Sequence, residues 1–81
     1  MNSSLAVVSE NNLAIQIGQA LIYIRESRGL TQTELAKRAD MDLSYISRVE
    51  NGRIEPRFTT VQNYLRYVGA DWTNFAEEMG W

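Results

Sequence analysis

Apolar side chains recur along this chain at spacings of three and four, interrupted by short polar breaks, which is the pattern of successive amphipathic helices. Leu13, Ile17, Leu21 and Ile24 form the first stripe and predict a helix from about Asn12 to Arg28. Gly29 closes it, because a residue without a Cβ takes the positive φ of a helix C-cap at no steric cost. Thr31-Gln-Thr-Glu34 reads as a capping box, in which hydroxyl and carboxylate satisfy backbone N–H groups reciprocally. It opens a second helix, Gln32 to Ala39, with Leu35, Ala36 and Ala39 inward. Asp40-Met41-Asp42 interrupts the pattern. Asp42 then suits the N-cap of a third helix, Leu43 to Asn51, which buries Ile46 and Val49 and stops at Gly52.

Arg53 to Phe58 is a loop holding the chain's single proline, Pro56. Thr59-Thr-Val-Gln62 offers another capping box, for a fourth helix with Val61, Tyr64, Leu65 and Val68 inward and Gly69 as its stop. Asp71 caps a fifth helix, which carries Trp72, Phe75, Ala76 and Met79 on one stripe. Only Leu5–Val8 has any strand character. The expectation is an all-α domain of five short helices over residues 12–81, preceded by an arm over residues 1–11. The arm is either flexible or part of an interface.

A domain of 81 residues has a thin core, since a chain of this size buries only roughly 60% of its unfolded surface. Cysteine and histidine are both absent, so neither disulfides nor most metal sites can supplement that core, and no cofactor is expected. Self-association remains. Trp72, Phe75, Met79 and the terminal Trp81 crowd more apolar surface into the last ten residues than one short helix usually hides. They are the expected homodimer interface. No apolar run approaches the ~18 residues of a membrane span, and Met1–Ser9 lacks the basic start of a signal peptide. A soluble, cytoplasmic protein with no membrane association is expected. Without histidine, cysteine, a glycine-rich phosphate loop or a nucleophile–base pair, an enzyme is not.

The net charge of −2 gives no general affinity for polyanions, but charge is unevenly placed. Residues 25–57 hold seven bases and six acids, whereas the segments on either side are acidic. Within that middle stretch two short helices are separated by three residues, the spacing that lets a second helix enter a DNA major groove. Ala36 is small where the helices approach, and Asp40 tolerates the left-handed conformation the turn needs. With Ile46 and Val49 inward, Leu43, Ser44, Tyr45, Ser47 and Arg48 occupy the other surfaces of the third helix. Arg48 can donate two hydrogen bonds to guanine O6 and N7, Ser44 can bond to either kind of base, and Leu43 can contact a thymine methyl.

Gly29-Leu-Thr-Gln-Thr-Glu-Leu-Ala36, followed by Tyr45-Ile-Ser-Arg-Val-Glu-Asn-Gly52, resembles the Xre/Cro/phage-repressor helix-turn-helix family over roughly residues 15–76. Pro56-Arg-Phe58 is similar to a segment of lambdoid phage repressors. The resemblance implies a five-helix, lambda-repressor-like DNA-binding domain with the helix-turn-helix at helices two and three. It implies a transcriptional regulator that acts as a homodimer on a partly palindromic site in double-stranded DNA. Gln32 and Thr33 then lie against the backbone at the start of helix two, and Leu43, Ser44, Tyr45, Ser47 and Arg48 belong to the recognition helix. Arg53 and Arg57 grip the sugar-phosphate backbone, and Arg25 and Glu50 form a structural ion pair. Two positions depart from the pattern. Asp40 replaces the usual turn glycine, and Asp42 sets a carboxylate at the mouth of the recognition helix, tolerable if it caps the helix or accepts from cytosine N4. Related proteins include restriction-modification controllers and antitoxins, so a protein partner, a toxin or RNA polymerase, is the alternative to DNA alone.

Overall fold

The computed structural model describes the backbone from Ser3 to Trp81 and the side chains from Leu13 onward. Five helices follow one another: α1 (Ser3–Ser27), α2 (Gln32–Ala39), α3 (Leu43–Glu50), α4 (Phe58–Val68) and α5 (Trp72–Met79). Leu21, Leu35 and Ile46 are each 0% exposed although they come from α1, α2 and α3. One core is therefore shared. α4 contributes Val61, Tyr64, Leu65 and Val68 to it, and α5 contributes Phe75. Among the described residues no helix is long and apolar enough to cross a membrane.

Helix ends follow their local chemistry. Thr31 Oγ1 accepts from the Glu34 N–H at 3.1 Å, and the Thr31 N–H donates to Glu34 Oε1 at 2.8 Å, completing the expected box. Those bonds, that from the Thr31 backbone foremost, hold the exposed Glu34 carboxyl below its ordinary value. Asp40 stands at φ 53°, ψ 47°, so an aspartate does fill the left-handed turn position. Asp71 and Asn74 form a second box at the start of α5.

Three expectations about helix ends are corrected. α1 starts at Ser3 rather than near Asn12. No proline or glycine stands between Ser3 and Gly18, and extending a formed helix costs far less than nucleating one. Leu5–Val8 is accordingly helical, not strand. The side chains of residues 1–12, and so the question of whether the arm joins an interface, lie outside the described residues. α4 begins at Phe58 with Arg57 at the N-cap position and no side-chain cap, so Thr59 is inside the first turn. The Phe58 ring stacks on Trp72 with centroids 4.7 Å apart, which fixes Phe58 in that turn. Asp42 occupies the N-cap position of α3 in extended backbone, but its carboxylate makes no capping bond.

α1 crosses the end of α3 at very close range. A Cβ placed on Gly18 would clash with the Glu50 carbonyl oxygen and lie 2.7 Å from that of Val49. Gly52 has φ 71°, and a Cβ there would sit 2.8 Å from the Ile15 Cα. These two glycines set how near α1 and α3 can come. Because the atoms facing Gly18 are helix backbone, which cannot swing aside, Gly18→Ala is expected to destabilise the fold by about 2 kcal/mol. That loss appears despite the ~1 kcal/mol by which alanine is the better helix former. A urea midpoint equal to or above wild type would show that the crossing is looser than described.

Candidate nucleic-acid interface

A buried ionic cluster supports the α2–turn–α3 unit. Arg25 of α1 and Glu50 of α3 are 7% and 3% exposed, deep enough that neither charge is sustained by water. Arg25 Nε donates to Glu50 Oε2 at 2.8 Å and Nη2 to Oε1 at 2.9 Å, a two-pronged match of guanidinium to carboxylate. Arg25 Nη1 donates to the Leu30 carbonyl at 2.7 Å, which ties in the loop before α2. Gln32, in the first turn of α2, donates its Nε2 hydrogen to Glu50 Oε1 at 2.7 Å. The Tyr64 hydroxyl of α4 donates to Glu50 Oε2, with the Leu21 carbonyl 3.1 Å away as a secondary acceptor.

Burial by itself would raise the Glu50 carboxyl, but the bonds from Arg25, Tyr64 and Gln32 outweigh it and hold the carboxyl below its ordinary value. The bond to Glu50 raises the Arg25 guanidinium further. Burial and the Glu50 carboxylate push the Tyr64 hydroxyl far above the ordinary tyrosine range, so it stays a donor. Gln32 is thus anchored rather than loose, with one amide hydrogen committed inward and the other left for a further acceptor.

α3 presents a different surface outward. Ile46 and Val49 are buried, which turns Leu43, Ser44 and Arg48 to solvent. Tyr45 and Ser47 are half-buried. Tyr45 packs against the core, its hydroxyl 3.5 Å from Thr60 Oγ1 and its ring 6.0 Å from the Arg48 guanidinium. Thr33 on α2, and Arg53 and Arg57 between α3 and α4, are also exposed.

The group proposed as an interface in the C-terminal segment is divided. Phe75 is 3% exposed and belongs to the core, its ring edge-on to Trp72, so it adds no surface of its own to this group. Trp72 and Met79 are half-buried, and Trp81 is 76% exposed with its ring edge-on to Phe75. Phe58, stacked on Trp72, adds an exposed aromatic that the stripe pattern of α5 does not reveal.

Residues 21–75 match the Helix-turn-helix family. The chain is 37% identical over 53 residues to the immunity repressor protein of Bacillus phage phi105, covering 65% of this chain and 37% of the repressor. It thus spans little more than a third of that repressor's length. It is 34% identical over 55 residues to the HTH-type transcriptional regulator YqaF of Bacillus subtilis strain 168, covering 68% of this chain and 72% of YqaF. The crystal structure of the clp gene regulator ClgR from C. glutamicum superposes with a TM-score of 0.78 at 28% identity, covering 84% of this chain and 87% of that one. With α2 and α3 in the lambda-repressor-like arrangement of five helices, the chain belongs to the Xre/Cro-type helix-turn-helix family of transcriptional regulators.

Removing one partner of a buried pair strands the other charge, so Arg25→Met is expected to cost about 3–5 kcal/mol. Tyr64→Phe, which leaves Glu50 its other donors, costs less, about 1–3 kcal/mol. Chemical denaturation of both variants checks the order; equal and negligible losses would show that the cluster carries no weight. The cluster also sets an acid limit. A carboxyl whose folded value is depressed contributes its full stabilisation above its unfolded value, about 4.3, and loses it as pH falls through the folded value. Stability measured downward from pH 6 should therefore fall in wild type, with that contribution missing from Glu50→Gln.

Proposed function

We propose that this protein is a sequence-specific, double-stranded-DNA-binding transcriptional regulator that acts in the cytoplasm as a homodimer on a partly palindromic operator. The observation that carries the reading is the exposed face of α3, with Leu43, Ser44 and Arg48 turned to solvent on a helix whose opposite side is tied to α1, α2 and α4 through Glu50. A helix that reads bases must be held in one pose, and this one is. Arg48 reads guanine, Leu43 meets a thymine methyl, and Tyr45 and Ser47 support them from the half-buried flank. Gln32, Thr33, Arg53 and Arg57 contact phosphates and set the register. The matched immunity repressor supports a repressive role.

Trp72, Met79 and Trp81, with Phe58 beside them, supply the apolar surface for a symmetric dimer that places two recognition helices about one DNA turn, ~34 Å, apart. The exposure of Phe58 and Trp81 also favours a second reading, in which an antitoxin-like module docks a protein partner such as a toxin or RNA polymerase. Copurification of such a partner, with no binding to duplex DNA by the protein alone, would select it.

A mobility-shift titration with DNA from upstream of the protein's own gene tests the main reading. With about six phosphates neutralised, affinity should fall roughly 10³-fold between 50 and 200 mM salt. The double substitution Arg53→Ala, Arg57→Ala should flatten the salt slope by about two, whereas Arg48→Ala should erode sequence preference and spare affinity for random duplex. Absence of binding to either DNA at low salt would sink the proposal.

A further inference from the structure

Asp42 stands at the N-terminus of α3 without capping it, and its carboxylate is engaged elsewhere. Ser44 Oγ donates its proton to Asp42 Oδ2 at 2.8 Å. Arg48, one turn along the same face, brings Nη1 to 3.5 Å from Ser44 Oγ. All three side chains are exposed, and their polar heads lie in a row of guanidinium, hydroxyl, carboxylate. Since a hydroxyl has one hydrogen, the bond to Asp42 leaves Ser44 only lone pairs to offer a base. Reading along the row, the surface presents donors from Arg48 and then acceptors from Ser44 and Asp42.

A C·G base pair shows the complementary row in the major groove: the N7 and O6 acceptors of guanine, then the N4 amino donor of cytosine. We propose that Asp42, Ser44 and Arg48 form one readout unit that selects a C·G pair, Arg48 taking guanine N7 and O6 while the Asp42–Ser44 pair accepts from cytosine N4. The other bases fit worse for specific reasons. Thymine presents O4, an acceptor facing acceptors, and a bulky methyl. Adenine presents its amino donor beside N7, whose lone pair meets the carboxylate. A lone Ser44 would tolerate either kind of base, so it is Asp42 that gives the serine its preference. The carboxylate that looks unfavourable near DNA becomes a specificity determinant aimed at a base rather than at a phosphate.

This inference rests on the DNA-binding reading, and the test separates the two. Purified full-length protein is used to enrich sites from a randomised duplex library, and binding of the enriched duplex and its single base-pair variants is measured by fluorescence anisotropy. Wild type should enrich a C·G pair at a fixed position, and changing that pair to T·A should weaken binding at least about fivefold. In Asp42→Asn, which keeps the shape but adds a donor, the penalty should shrink to about twofold or less, and Ser44→Ala should reduce it as well. Affinity of Asp42→Asn for random duplex should hold or rise, because a negative charge is lost and no phosphate contact is touched. An undiminished penalty in Asp42→Asn, or an enriched site with no such C·G pair, overturns the readout unit while leaving DNA binding intact. If folded wild type binds no duplex even at low salt, both readings fall.

Discussion

A carboxylate taken out of water keeps its charge only if hydrogen-bond donors replace the lost hydration. Glu50 receives four, two from Arg25 and one each from Gln32 and Tyr64, so both of its oxygens are fully engaged. The donors stand on α1, α2 and α4, and Glu50 itself ends α3. One side chain therefore joins four of the five helices. Apolar packing would allow α3 some freedom to rotate or slide against its neighbours, but a bidentate ion pair with directional bonds from two more helices does not. Gly18 and Gly52 complete the constraint by letting α1 approach α3 until backbone meets backbone.

The arrangement separates the support of α3 from the face proposed to read DNA. Charges that fix the helix are buried on one side of α3, and the polar groups on its other side face solvent. Gln32 bridges the two: half-buried, it belongs to the cluster through one amide hydrogen and retains the other. In the proposed complex, a phosphate contact made by Gln32 would report through Glu50 on the placement of α3, coupling backbone grip to base recognition.

Much of this was legible in the chain itself. Caps at Thr31 and Asp71, the left-handed Asp40 and the stripes of α2 to α5 follow from local chemistry that few tertiary contacts could override. Most of what eluded the pattern depended on partners distant in sequence. Tyr64 sits where an apolar residue belongs in the α4 stripe, and nothing near it in the chain reveals that its hydroxyl meets Glu50. Gly18 is a signal that could have been read, since a glycine inside a strong helical stripe marks a close approach. Phe75 followed the stripe of α5 faithfully, but a stripe does not tell whether its apolar face meets the chain's own core or a second molecule. Asp42 had the right type and place for a cap, and Ser44, two residues on, took its carboxylate instead.

Inside the folded protein Glu50 is a charged, fully bonded carboxylate. Carbon-13 NMR of the Glu50 side-chain carboxyl, followed as pH is lowered, measures this directly. The carboxyl resonance should titrate with a midpoint below the ordinary glutamate value of about 4.3 while the protein is still folded. A midpoint at or above the ordinary value in a protein that is still folded would contradict it.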